Sequence, residues 1–172
     1  MVRLKLFVLI FISFLLIQGC SSKTEPDMNH MDHIVKKIVE VETPNGNYTA
    51  FNKKTGAYGR YQIKPDTAKY YSKKLDIDYS SWKEPNNQDK IFKALLSDNI
   101  RSLRIKGHKI NAFTVYGAHQ QGATGFDNII KKRNLDDYMY AKLRRNIPAE
   151  YRNCKDEELC RVWVGYWKKK LS

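Results

Sequence analysis

Residues 42–62, ETPNGNYTAFNKKTGAYGRYQ, constrain this chain more than any other stretch. Upstream, Ile34, Val35, Ile38, Val39 and Glu42 recur at helical spacing, with Asp32 as a candidate N-cap. The run therefore ends on an acid that lies on its own apolar stripe. No further carboxylate occurs until Asp66. Burial and the negative end of a helix both favour the protonated form of a carboxyl group, the state a general acid needs near neutral pH. Glu40 falls off the stripe and reads as a solvated residue. An ordinary helix-end acid is the alternative for Glu42 when the helix is considered by itself.

Beyond the acid the chain turns to loop-forming residues. Pro44, Asn45-Gly46 and Lys53-Lys54 predict a turn-rich loop or a short β-hairpin. Gly56-Ala57-Tyr58-Gly59 is a segment of small residues that lets backbone approach a ligand closely. Such a setting, one acid among Tyr, Asn, Gln and Gly, suits sugar cleavage with one proton-transferring group. Glycosidases usually employ two carboxylates.

Glu42-Thr43, then Gly56-Ala57-Tyr58-Gly59-Arg60-Tyr61-Gln62, then Tyr116-Gly117-Ala118-His119-Gln120-Gln121-Gly122 form an ordered trio. The trio resembles the soluble lytic transglycosylase domain family, relatives of goose-type lysozyme, over roughly residues 34–132. That family carries Glu-Ser, a G-A-x-G-x-x-Q loop and an A-Y-N-A-G-like turn. Here Thr43 replaces the Ser, and Gly117 and His119 stand where the family often has Asn and Gly. The resemblance implies a mainly α (α+β, lysozyme-like) fold with a short β-hairpin or loop beside a cleft. It implies Glu42 as the single acid/base, Gln62 as a cleft amide binding the sugar or its N-acetyl group, and Tyr116 near the acid. Tyr58 and Tyr61 are candidates for stacking on sugar faces, or core residues. His119 and Gln120 are candidate donors to the glycan, with a capping or buried structural role as the alternative for His119. The implied reaction cleaves the β-1,4 bond between N-acetylmuramic acid and N-acetylglucosamine and leaves 1,6-anhydromuramic ends. A hydrolytic muramidase using Asp66, Asp76 or Asp78, and a non-catalytic wall-binding lipoprotein, are the competing readings. No cofactor is implied.

The remaining segments frame that domain. Arg3 and Lys5, the apolar run from Leu6 to Ile17, and Gly19-Cys20 resemble a bacterial lipoprotein signal over 1–19, with Cys20 as the lipidated residue. Cleavage without lipidation and an uncleaved anchor are the alternatives. Residues 20–31 read as a polar tether and 32–172 as the domain. The expected location is exported, membrane-anchored through lipid on Cys20 and facing the periplasm, with Ser21 resembling the outer-membrane sorting pattern. The formal charge is +13, or +11 without Arg3 and Lys5. Such a surface favours polyanions, with nucleic acid, anionic lipid headgroups and the acidic cell wall as candidates. Export and the absence of a nucleic-acid motif point away from nucleic acid. Peptidoglycan, whose lactyl-peptide arms carry carboxylates, would attract such a charge; a well-solvated basic surface is the alternative. A role beside a cell-envelope secretion or conjugation machinery would use the same chemistry.

His30 and His33 have a chelating spacing but no further ligands, and read as helix entry. Cys154 and Cys160 are a disulfide candidate if Cys154 lies in the loop before the last helix, since two Cα atoms must come within about 7 Å; two free thiols are the alternative. Further helices are expected over 66–75, 88–106 (the clearest amphipathic face: Ile91, Phe92, Leu95, Leu96, Ile100, Leu103), 110–118, 126–132, 135–145 and 156–170. Trp82 reads as a core lid or a sugar platform.

Overall fold

The computed structural model describes residues 28–172 apart from Pro44 and Asn134. The expected signal segment, Cys20 and most of the tether lie outside the described residues. The described residues form seven helices: α1 Met28–Glu42, α2 Pro65–Lys74, α3 Pro85–Ile105, α4 Ala112–Gln121, α5 Ala123–Ile130, α6 Asp137–Arg145 and α7 Asp156–Leu171, with 3₁₀ turns at Tyr79–Ser81 and Ala149–Tyr151. The protein is mainly α. Helix α1 begins at Met28, so the last four residues assigned to the tether are helical. His33 is exposed, and the described residues hold no cluster of three metal-ligating side chains.

Local signals explain where the helices start and stop. Pro65 and Pro85 occupy first helical positions, where a missing N–H costs nothing; α3 therefore starts three residues before the amphipathic pattern becomes visible. Gly107, at φ +80°, ends α3: its N–H reaches the Arg104 carbonyl at 3.0 Å and that of His108 reaches Leu103 at 2.9 Å. Asn111 and Thr114 close a reciprocal capping box on α4. Helix α4 continues to Gln121, so His119 and Gln120 sit in its last turn rather than in a loop. Gly122, at φ +76°, separates it from α5.

Helix α4 is the axis of the core. Residues 112–118 are all buried, and α1, α3, α5 and α7 pack around it. The α4–α5 approach needs a glycine: a Cβ at Gly117 would lie 2.3 Å from the Phe126 ring. This close approach accounts for Gly117 where the resembled family often carries Asn. Helix α7 closes the core with Leu159, Trp163, Trp167 and Leu171. Asp127, buried in α5, accepts from His108 (2.8 Å), Lys131 (2.7 Å) and Arg133 (3.0 Å), joining the α3–α4 link to α5. Chiefly through Lys131, these partners hold its carboxyl down to about 2. This clamp contributes stability above the ordinary Asp range and loses it as pH falls toward 2.

The expected hairpin is reduced to isolated bridges, Phe51 with Tyr58 and Tyr58 with Ile63. Between α1 and α2 the chain therefore folds through backbone bonds such as Gly59 N–H to Ala50 O (2.7 Å) and the Tyr58–Ile63 pair (3.0 Å each way). Its template is Gln88, fully buried on the first turn of α3. Gln88 Oε1 accepts from the Arg60 N–H (3.1 Å), and Nε2 donates to the Tyr48 (3.0 Å) and Lys83 (2.6 Å) carbonyls. Gly59, at φ +79°, lies so close that a Cβ would fall 1.8 Å from Gln88 Oε1. Asp89 holds the same loop from the next position, accepting from the Tyr48 (2.9 Å) and Tyr61 (2.8 Å) hydroxyls. Gly59→Ala is therefore expected to destabilise the protein by about 2–4 kcal/mol in a urea titration, through overpacking and backbone strain together. A loss below about 0.5 kcal/mol would match an unconstrained surface turn instead.

Candidate functional site

Glu42 is the last residue of α1, and its side chain is 20% exposed at the junction of two depressions. The first, about 550 Å³, runs along α4, α6 and α7 and is lined by Tyr116, His119, Gln120, Arg145, Ile147 and Tyr166 among others. A second, about 580 Å³, lies over the 43–54 loop with Asn47, Phe51, Lys53 and Lys54. Glu42, Asn52 and Gln62 line both. A chain-like ligand can thus extend to either side of the acid. Among the described residues no other carboxylate lines either depression, Asp66, Asp76 and Asp78 included.

The acid is tuned by what surrounds it. Desolvation raises the Glu42 carboxyl from 4.5 to about 7, opposed by a hydrogen bond from the Tyr116 hydroxyl. That hydroxyl is oriented by a chain of partners. Gln120 Nε2 donates to the Tyr116 oxygen (3.0 Å), so the Tyr116 proton is left for Glu42. Gln120 Oε1 is in turn held by Trp163 Nε1 (3.1 Å) and Gln121 Nε2 (3.0 Å). Burial also raises the Tyr116 phenol, which stays protonated and can serve only as a donor to the acid. His119 Nε2 lies 3.6 Å from Glu42 Oε1, with the ring edge-on to Phe92. Desolvation pulls the imidazole down to about 4, against an opposing pull from the Tyr61 backbone, so it is neutral at pH 7. A neutral His119 does not hold Glu42 ionised. The pair leaves the acid protonated below about pH 7, beside one donor hydroxyl.

Thr43 ties the acid to the glycine loop: its buried hydroxyl donates to the Arg60 carbonyl at 2.6 Å. A Ser would supply the same bond, so the Thr43 departure from the resembled pattern keeps this contact. Gln62 adopts φ +47° and spends its amide NH₂ on the Gly59 (3.0 Å) and Ala50 (3.4 Å) carbonyls. Its side-chain oxygen has no hydrogen-bond partner among the described residues.

Of the residues expected at a site, Glu42, Gln62, Tyr116, His119 and Gln120 come together in the cleft, although Gln120 and Tyr116 already spend hydrogen bonds on one another. Tyr61 does not line it. Its ring is stacked on Phe92 at 4.0 Å and its hydroxyl is taken by Asp89, which makes it a core residue. Tyr58 turns to the other side of the loop, against Trp82 (5.7 Å) and beneath Lys83 (5.0 Å). Trp82 itself is buried. The expected disulfide is absent: Cys154 and Cys160 are free thiols. The Cys154 loop is held by other means, its carbonyl and Asp156 both accepting from Arg144. Asn52, in the turn-rich loop, reads from the sequence as a residue that can reach the cleft or pack the turn, and it lines both depressions. Sequence reasoning missed Lys64 and Arg145 at the site and the supports Gln88, Asp89 and Trp163, none of which carries a local signal for it. No family model, curated protein or solved structure matches the chain.

Because the folded state raises the Glu42 pKa, it binds a proton that the unfolded chain releases between 4.5 and about 7. This group's stabilising contribution is complete below 4.5 and is lost as pH rises through 7. Glu42→Gln is thus expected to be more stable than wild type at about pH 8.5 by about 2–3 kcal/mol, the gap closing near about pH 4. Thermal melts of both proteins across that range test it, and a pH-independent gap would contradict the assigned burial cost.

Proposed function

We propose that the chain is a peptidoglycan lytic transglycosylase with a lysozyme-like domain. The observation that carries this reading is the solitary, buried acid at the junction of two depressions, with no second carboxylate on either side among the described residues. Retaining and inverting glycosidases need that second group, as nucleophile or as base for water. A reaction whose nucleophile belongs to the substrate does not. The ordered motif trio and the helical core with its looped insertion after α1 support the same reading.

In the proposed mechanism the neutral Glu42 carboxyl protonates the oxygen joining N-acetylmuramic acid to N-acetylglucosamine. The C1–O bond breaks, its electron pair leaves with that oxygen, and positive charge develops on C1 and the ring oxygen. Glu42, now a carboxylate, is held by the Tyr116 hydroxyl. The C6 hydroxyl of the same muramic residue attacks C1 while its proton passes to Glu42, which restores the acid and leaves a 1,6-anhydro end. Net atoms balance without water. His119, neutral at working pH, positions the acid and contributes no charge. The side-chain oxygen of Gln62 is available to a sugar N–H or O–H. We infer in addition that the domain acts outside the cytoplasm, held at a membrane through lipid on Cys20, where its basic charge favours the acidic wall.

Mass spectrometry of purified peptidoglycan digested by residues 21–172 tests the reading. Anhydro-muropeptides should form with wild type and fall by about 10³-fold or more with Glu42→Gln, the scale expected for loss of the proton donor and base. Reducing-end products would make the enzyme a hydrolase. No product, under conditions where a muramidase cleaves, would leave a wall-binding protein. The pH profile supplies a second check. Since the protonated acid starts the reaction, kcat/KM should fall about tenfold per pH unit above about 7. Tyr116→Phe removes the bond that stabilises the carboxylate, so its alkaline limb should move upward while kcat drops by about 10–100-fold. An unmoved limb would exclude Tyr116 as the group positioning Glu42.

A further inference from the structure

At the α6 end of the cleft, away from Lys53 and Lys54, three cations converge from two elements. Lys64 stands at the cap position of α2, and Lys142 and Arg145 lie one turn apart near the end of α6. Lys64 and Arg145 line the cleft that contains Glu42; Lys142, half-buried, does not itself line it but lies close enough for both their charges to act on it. None of the three is ion-paired with a carboxylate among the described residues. Asp66, in the first turn of α2, is exposed and does not line the cleft. Burial lowers the Lys142 pKa, and the charges of Lys64 and Arg145 lower it further; the Lys64 charge is also felt by His119. Like charges held together without a counter-ion weaken the folded state, and a bound anion would relieve that repulsion.

The surrounding wall suggests how an anion would arrive. Ile147, Pro148 and Tyr166 form a partly apolar flank beside the cations. An anion carried on a short aliphatic or peptidic arm fits this combination better than a bare ion. Muramic acid carries such an arm at C3, and it is the sugar whose C1 meets Glu42 in the proposed reaction.

We propose that Lys64, Lys142 and Arg145 form a carboxylate subsite for the acidic arm of muramic acid, so that the cleft selects wall glycan over neutral polymers of N-acetylglucosamine. This rests on the glycan-cleft reading above. The carboxylate has two sources: the lactyl group itself in a bare strand, or the attached stem peptide. Arg145 is suited to a bidentate contact, and the two lysines neutralise charge as point donors.

The test is equilibrium binding to Glu42→Gln protein, which cannot turn its ligand over. Three tetrasaccharides serve as probes: an N-acetylglucosamine tetramer, an alternating N-acetylglucosamine–N-acetylmuramic acid tetramer without peptide, and the same tetramer bearing stem peptides. An acidic probe should bind about tenfold or more tighter than the neutral one at low salt, and added salt should shrink that ratio. Adding Lys142→Gln and Arg145→Gln should bring the ratio to about threefold or less. A full advantage for the bare acidic probe assigns the lactyl carboxylate, and an advantage only with peptide assigns the stem. Equal binding of all three probes, or a ratio the double substitution leaves unchanged, would overturn the subsite. Wild type that discriminates in this way yet yields no cleavage products would overturn the enzymatic reading alone.

Discussion

The structure depends on keeping one carboxylate out of water. Glu42 ends α1, and three separate parts of the chain converge on it: the last turn of α4, the glycine loop, and, through Gln120, helix α7. Desolvation dominates the tuning because the partners around the acid are neutral. Tyr116 donates one bond, His119 is held uncharged by its own burial, and no lysine or arginine among the described residues pairs with the group. An ion pair at this position would hold the carboxyl ionised and remove its capacity to donate a proton. The cost appears as lost stability above neutrality, and the helical core bears it.

Supports two or three bonds away maintain this environment. Gln88 and Asp89, adjacent near the start of α3, hold the loop that follows Glu42: the buried amide takes the backbone of Arg60, Tyr48 and Lys83, and the carboxylate takes two tyrosine hydroxyls. The loop has almost no regular strand, so side chains replace the ladder that a sheet would supply. On the opposite wall, the chain from Trp163 through Gln120 to Tyr116 fixes which group donates to the acid. Helix α7 lies far from the motif trio in sequence, yet it sets the direction of that hydrogen bond.

Much of this was legible in the sequence. The placement of Glu42 followed from helical spacing that ended on an acid, and Tyr116, Gln120 and Gln62 were marked by their motifs. All seven helices were expected, with ends displaced where capping outweighed periodicity, as at Pro85 and Gly122. Other features carried no local signal. The sequence left Tyr61 open between a sugar platform and a core residue, because loops obey no fixed inside–outside period, and its stack on Phe92 decides for the core. Gln88 and Asp89 read as ordinary polar residues of a helix start; apart from Lys83, their partners lie 28 to 41 residues away. The cation cluster is likewise split between residue 64 and residues 142–145. The cysteine spacing allowed a bond that the loop before α7 does not make.

The central claim is that burial holds Glu42 neutral until about pH 7, and the most direct measurement is an NMR titration of its carboxyl carbon in ¹³C-glutamate-labelled protein, assigned with Glu42→Gln. A midpoint near 7 is expected. A midpoint near the ordinary 4.5 would mean that water reaches the carboxylate freely, and that the chain lacks the neutral acid on which the proposed chemistry relies.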